Sequence, residues 1–170
     1  MKYVKEIKNH KISGVMEIVL DPHYDNRGEI WSIYEKTDLF PEFVEDKVSI
    51  STKNVLRGLH GDDKTGKLIN CLYGEFFLVI VDYRKNSDTY LDKVYFQVSD
   101  KNPTLIYVPP GCLNGHLCLS EKCIFFYKWT EKYTGPEDQI TVRWDDPTLC
   151  IEWPHNSPII SSRDASGSIL

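Results

Sequence analysis

The sequence predicts an all-β protein, a sandwich or small barrel of many short strands. Three observations carry this reading. Short runs rich in β-branched and aromatic residues recur along the chain, Gly, Pro, Asn or Asp bound them, and helical periodicity is weak throughout. In chain order the runs are "GVMEIVL", "EIWSIYE", "KVSISTK", "KLINCLYG", "EFFLVIVDYR", "KVYFQVS", "TLIYVPPG", "HLCLSEKCIFFYKWT" and "ITVRW". The third continues as "KVSISTKNVLRG", which alternates like one half-buried strand and places Arg57, Gly58 and His60 within four positions. "LYGEFF" reads as two strands joined through a tight turn at Gly74. "KTDLFPEFVED" holds one short turn broken by Pro41. The tail "HNSPIISSRDASGSIL" is loop-like, and such tails ordinarily fray. With no repeat and no linker, residues 1–170 read as one domain with a few short helical turns.

Composition narrows the function classes. A hydrophobic share of 41% supplies a core and excludes a disordered chain. A net charge of −5 argues against a nucleic-acid or anionic-membrane partner, though a locally basic pocket for a small anion remains compatible with it. No run of apolar residues is long enough to span a membrane, and the N-terminus "MKYVKEIKNHKISG" lacks the apolar stretch of a signal peptide. Cys71, Cys112, Cys118, Cys123 and Cys150 are odd in number and form no CxxC pair, so a reduced, cytoplasmic protein is expected.

A ligand in the mouth of a β-barrel or sandwich meets inward-facing side chains. Those with useful chemistry are Arg27, Arg57, His60, Lys67, Asp82, Asn114, His116, Tyr127, Tyr133 and Asp164. Each has a plainer reading. A single strand histidine is more often a hydrogen-bonded structural residue. Lys67 fits a solvated lysine, Tyr127 fits a core ring with its hydroxyl at the surface, and Asp82 fits a buried carboxylate tied to amides or to Arg84.

Five stretches in order, "NVLRGLH", "GKLINCLYGEFFLVIVDYRKNSDTY", "IYVPPGCLNGHLCLS", "FFYKWTEKY" and "VRWDDPTLCIEWP", resemble the dTDP-4-dehydrorhamnose 3,5-epimerase family. The likeness runs from about Leu20 to Asp164. It implies a cupin-type jelly roll and a homodimer that shares terminal strands. It also implies cofactor-independent epimerisation of nucleotide-linked 4-keto-6-deoxy sugars at C3, C5 or both. By resemblance His60 is the base, Asp164 the carboxylate that orients it, Lys67 the cation that stabilises the enolate, and Tyr127 the acid on the opposite face. Arg57 contacts the diphosphate, Arg27 serves the nucleotide end, and Tyr133 joins the binding set. The tail that carries Asp164 is then docked. Metal-binding cupins use an HxH cluster with a Glu and a later His. Neither His60 nor His116 has such a partner, so no metal is expected.

The chain departs from the family pattern at four places. "HGDDKTGK" replaces a longer segment with a glutamine after the base. Asn114 stands where the family has a second histidine, and His116 where it has phenylalanine, with the direction of His116 left open. Glu29 and a residue near Ser32 replace an aromatic and a glutamate after the "RG". Glu45 and Lys47, ahead of Ser49, replace the residues that read thymine and its sugar. A carboxylate at Glu29 or Glu45 suits the N1–H and amino edge of guanine, so GDP is the expected nucleotide and a GDP-4-keto heptose of capsule synthesis the expected substrate. The alternatives are a dTDP-4-keto-6-deoxy-hexose 3,5-epimerase, a 3,4-ketoisomerase and a non-catalytic sugar-nucleotide binding protein.

Overall fold

A computed structural model describes residues 2–170. Its strands are β1 (Val4–Asn9), β2 (Met16–Leu20), β3 (His23–Asp25), β4 (Gly28–Ile30), β5 (Glu45–Thr52), β6 (Leu56–Gly61) and β7 (Lys67–Tyr73). They continue as β8 (Glu75–Asp82), β9 (Lys93–Ser99), β10 (Thr104–Val108), β11 (Cys112–Cys118), β12 (Lys122–Trp129) and β13 (Ile140–Thr141), with one short helix, α1 (Ser162–Ala165). Two antiparallel sheets face each other, in the orders β1-β2-β10-β7-β12-β5 and β13-β6-β11-β8-β9, and β3-β4 is a separate hairpin. This is the cupin-type jelly roll that the sequence predicts.

Period-two alternation decides which side chains meet between the sheets. On β7, Ile69 and Cys71 face inward and Leu68 outward; on β10, Ile106 and Val108 face inward and Leu105 and Tyr107 outward. The inward set joins Phe76, Leu78 and Ile80 of β8 and Phe125 of β12 in the central core. The outer face of the six-stranded sheet is covered by Trp31, Ile33, Tyr34, Phe40 and Phe43. The outer face of the five-stranded sheet is covered by Val142, Leu149, Trp153 and Ile160. The C-terminal segment is therefore anchored on this sheet at Leu149, Trp153 and Ile160.

Several local expectations change. The run "KVSISTKNVLRG" is not one strand: it divides into β5 and β6, which lie in different sheets. Asn54, in the left-handed region at φ 65, makes the turn between them. The tight turn at Gly74 joins two strands as expected, β7 and β8, and passes the chain from one sheet to the other. Gly74 has φ 76, and a Cβ there would stand 2.2 Å from the Lys122 carbonyl oxygen. "EIWSIYE" is a strand only as far as Ile30, because its aromatic residues pack as an irregular cover instead. "ITVRW" keeps only Ile140–Thr141 as β13. The charged segment Val4–Asn9, which carries no clear strand signal, forms the edge strand β1 beside β2. Asp82 takes the plainer of its two readings. It is fully buried and accepts from Arg84 Nε at 2.8 Å, Ser87 Oγ at 2.6 Å and Thr89 Oγ1 at 2.7 Å.

Candidate active site

Toward one end of the sandwich the inward-facing positions turn from apolar to polar. On β7 the series Cys71, Ile69 ends in Lys67; on β12 Cys123 and Phe125 give way to Tyr127 and Trp129. On β5 the same alternation turns Lys47 and Ser49 inward. These groups and the inward residues of β6 and β11 enclose a cavity of about 340 Å³. Into it project His60, Lys67, Tyr127, Asp164, Arg57, Asn114, Lys47, Ser49 and Tyr133, nine of the residues that the sequence singles out.

Arg57 and His60 are three positions apart, and a regular strand would point them to opposite faces. The pairing explains how both reach the cavity. Arg57 lies opposite His116 and His60 opposite Asn114, so three steps on β6 match two on β11. This is a β-bulge, which re-aims the side chains that follow it. Gly58 makes it possible, with φ 131 and a Cβ position only 2.4 Å from the Cα of Gly115. Asn114 and His116, two apart on β11, both face the cavity. That settles the direction of His116, which the sequence leaves open.

His60 Nε2 is hydrogen-bonded to Asp164 Oδ1 at 2.6 Å. With Nε2 engaged by the carboxylate, Nδ1 is left to take a proton. Asp164 comes from α1, whose first turn is capped by Ser161: its Oγ accepts the Asp164 amide at 3.1 Å. Burial pushes the Asp164 carboxyl up, but hydrogen bonds from His60, the Gly58 amide and Ser161 outweigh it and hold the group below its usual range. It is a carboxylate at neutral pH.

Lys67 is 3% exposed. Its Nζ donates to Asn114 Oδ1 at 2.7 Å and to the His60 carbonyl at 3.2 Å. Burial pulls its pKa down to about 8, so the ammonium still dominates at neutral pH. Tyr127 stands on the opposite sheet from His60, edge-on to Phe125, and burial raises its phenol. Arg57 is braced by Ser51 Oγ at 3.1 Å and the Ile50 carbonyl at 3.4 Å, with the rest of its guanidinium free for an anion.

At the rim, Lys47 Nζ lies 3.6 Å from the centre of the Tyr133 ring and 4.3 Å from that of Trp129. Glu45 accepts the Tyr133 amide at 2.7 Å and pairs with Lys47 at 3.4 Å. Glu45 thus supports the rim rather than lining the cavity.

Besides Glu45, two more expected residues are not brought to the cavity. Arg27 and Glu29 lie on the exposed β3-β4 hairpin, where Arg27 pairs with Asp25 at 2.6 Å. Conversely, sequence reasoning omits Trp129, Phe125, Gln139, Ser161 and Arg163, which line the cavity. Trp129 could have been found by continuing the alternation from Tyr127, and Arg163 by its place beside Asp164. Among the described residues no group of three His, Cys, Asp or Glu side chains is placed to hold a metal ion.

Comparison with known proteins gives a consistent picture. A family model described as dTDP-4-dehydrorhamnose 3,5-epimerase matches residues 9–170. A protein of that name from Methanothermobacter thermautotrophicus is 40% identical over 163 residues, covering 90% of this chain and 88% of its own. Another from Salmonella typhimurium is 37% identical over 166 residues, covering 90% of each. The crystal structure of the Bacillus anthracis protein of that name, with TDP and PPi bound, superposes with a TM-score of 0.92 at 30% identity, over 97% of this chain and 99% of that one.

Proposed function

The chain belongs to the dTDP-4-dehydrorhamnose 3,5-epimerase family, isomerases of nucleotide sugars, and from that premise we propose that it epimerises a nucleotide-linked 4-keto-6-deoxy sugar at C3, or at C3 and C5, without a cofactor. One observation carries the reading. The His60–Asp164 pair and Tyr127 come from opposite sheets of one cavity, with the Lys67 ammonium buried in its wall.

Inversion next to a ketone needs a base on one face of the ring and an acid on the other. Nδ1 of His60 takes the C3 proton. The C–H electron pair becomes the enolate π bond, and negative charge moves to the C4 oxygen. Lys67, itself buried and oriented by Asn114, stabilises that charge. Tyr127 returns a proton to C3 from the other face, which inverts the carbon. Asp164 stabilises the imidazolium meanwhile. Inversion at C5 repeats the cycle after the ring turns in the site and solvent takes the His60 proton and reprotonates Tyr127. Arg57 holds the diphosphate.

For the nucleotide we propose GDP, and for the sugar a heptose used in capsule synthesis, in a cytoplasmic enzyme. Support for guanine comes from the sequence, where Glu45 and Glu29 replace family residues at the nucleotide end; neither side chain lines the cavity of this chain. A second cavity of about 360 Å³, which shares Trp129, Tyr133 and Gln139 with the first and is bounded by Asp62 and Thr65, supports a longer sugar. A second reading, dTDP-4-keto-6-deoxy-hexose, is favoured by the names of the relatives. We also propose a homodimer. Val48 and Ile50 on the outer face of β5 are 57% and 55% exposed, and Tyr24 and Ile30 flank Arg27 on its exposed hairpin. A second copy would cover this apolar surface and bring Arg27 and Glu29 to a cavity.

Proton NMR in D2O tests the reading, with a GDP-4-keto-6-deoxy-heptose and with dTDP-4-keto-6-deoxy-glucose. Loss of the C3 signal, alone or with C5, is the expected result, and the nucleotide that reacts names the substrate class. No exchange with either sinks the epimerase assignment for these sugars.

A further inference from the structure

His116 has no part in the mechanism above, yet it is placed as a binding residue. It is 3% exposed and lines the cavity. Its ring lies flat against Phe125, with centroids 4.0 Å apart and planes 9° from parallel, and it meets Phe76 edge-on. The stack fixes the ring plane. Nε2 is buried without a hydrogen-bond partner. A buried polar nitrogen left unpaired is costly, whereas a phenylalanine would fill the same aromatic slot without that cost. Burial, then the Arg57 and His60 charges, push its pKa down to about 3, so the imidazole is neutral and offers one N–H and one lone pair.

Its position selects the part of the substrate it meets. Asn114, opposite His60, contacts the lysine assigned to the C4 oxygen. Two residues along β11, roughly 7 Å away, His116 lies opposite Arg57, assigned to the diphosphate. Between the carbon that His60 deprotonates and the anomeric carbon that bears the diphosphate lies one ring carbon, C2. We propose that His116 reads the substituent at C2 of the sugar, hydrogen-bonding a hydroxyl there and so favouring 2-hydroxy over 2-deoxy substrates. This rests on the epimerase reading, because it takes the places of C3 and the diphosphate from His60 and Arg57.

The test compares affinities, which do not depend on turnover. Dissociation constants are measured for dTDP-4-keto-6-deoxyglucose and GDP-4-keto-6-deoxymannose, each beside its 2-deoxy counterpart, in the wild type, His116→Phe and His116→Gln. Deuterium entry at C3 is followed in parallel. The wild type is expected to bind the 2-hydroxy sugar about tenfold or more tighter than the 2-deoxy one. His116→Phe should reduce that ratio to about one through weaker binding of the 2-hydroxy sugar alone, and His116→Gln, which keeps a donor and an acceptor, should restore part of it. A ratio near one in the wild type, or the same ratio in wild type and His116→Phe, overturns the assignment. If His116→Phe does not fold, His116→Leu, which likewise offers no donor or acceptor, takes its place: a ratio reduced to about one supports the assignment, and an unchanged ratio or a wild-type ratio near one overturns it. Absence of deuterium entry in the wild type indicts the epimerase reading instead, whatever the ratios show.

Discussion

Asp164 Oδ1 lies 2.6 Å from Nε2 of His60, and Oδ2 of the same carboxylate accepts the Gly58 amide at 3.4 Å. The tail thus holds both the histidine proposed as general base and the bulge that aims it. Asp164→Asn should lower the rate of solvent deuterium entry at C3 by about 10²–10⁴-fold, because the imidazolium loses its counter-charge and its fixed tautomer. Binding of the nucleoside diphosphate alone should be unchanged. Calorimetry and NMR on the same preparation check both halves. Wild-type exchange in this variant would remove Asp164 from the mechanism.

Tyr127→Phe should separate exchange from inversion. His60 can still remove the C3 proton and return a deuteron to the same face. The recovered substrate should therefore gain deuterium while product formation falls by about 10²-fold or more. Product formed at the wild-type rate would assign the acid elsewhere.

Lys67 predicts a basic limb in the pH profile. Its folded-state pKa is lowered to about 8, so the ammonium is present below that pH and lost above it. Turnover should decline as pH rises through about 8. Lys67→Met should cost about 10²–10³-fold at neutral pH and erase this limb, because the enolate oxygen then lacks its cation at every pH. A limb that survives the substitution belongs to another group.

Arg57→Ala should act on binding. Its guanidinium is braced on Ser51 and Ile50 rather than on a carboxylate. Removing it should weaken nucleotide-sugar binding about tenfold to a hundredfold with a smaller effect on turnover at saturation. Titration calorimetry with the nucleoside diphosphate measures the first, and a selective fall in turnover would contradict the role.

Asp82 predicts acid lability without loss of chemistry. Burial pushes its carboxyl up, but hydrogen bonds from Arg84, Ser87 and Thr89 prevail and hold it far below the usual range. Its folded value is lowered, so its contribution is present above about pH 4, the unfolded value, and is lost as pH falls below it. Asp82→Asn should destabilise the fold by about 1–3 kcal/mol at neutral pH and flatten the acid side of the stability curve. Thermal melts across pH check this, and an unchanged curve would refute it.

The all-β class and most strand positions are legible in the sequence, because alternation is a local property of the chain. The sequence also pointed to His60, Lys67, Tyr127 and Asp164, through a resemblance carried by motif order. It could not show that β5 and β6 belong to different sheets, since the alternation runs through Asn54 almost unbroken. The charged edge strand β1 was illegible for a related reason: its place comes from pairing with β2, not from its own composition. Which side chains share the cavity follows from strand pairing and packing across the fold. Arg57 and His60 face the same way because of a bulge against β11, and a bulge exists only once two strands are paired. His116 turns inward beside Asn114 by regular alternation along β11, while Arg27 and Glu29 stay on an outer hairpin. Asp164 joins His60 because Leu149, Trp153 and Ile160 pack the C-terminal segment on the outer face of the five-stranded sheet. That is a long-range burial of apolar area, which local periodicity does not encode.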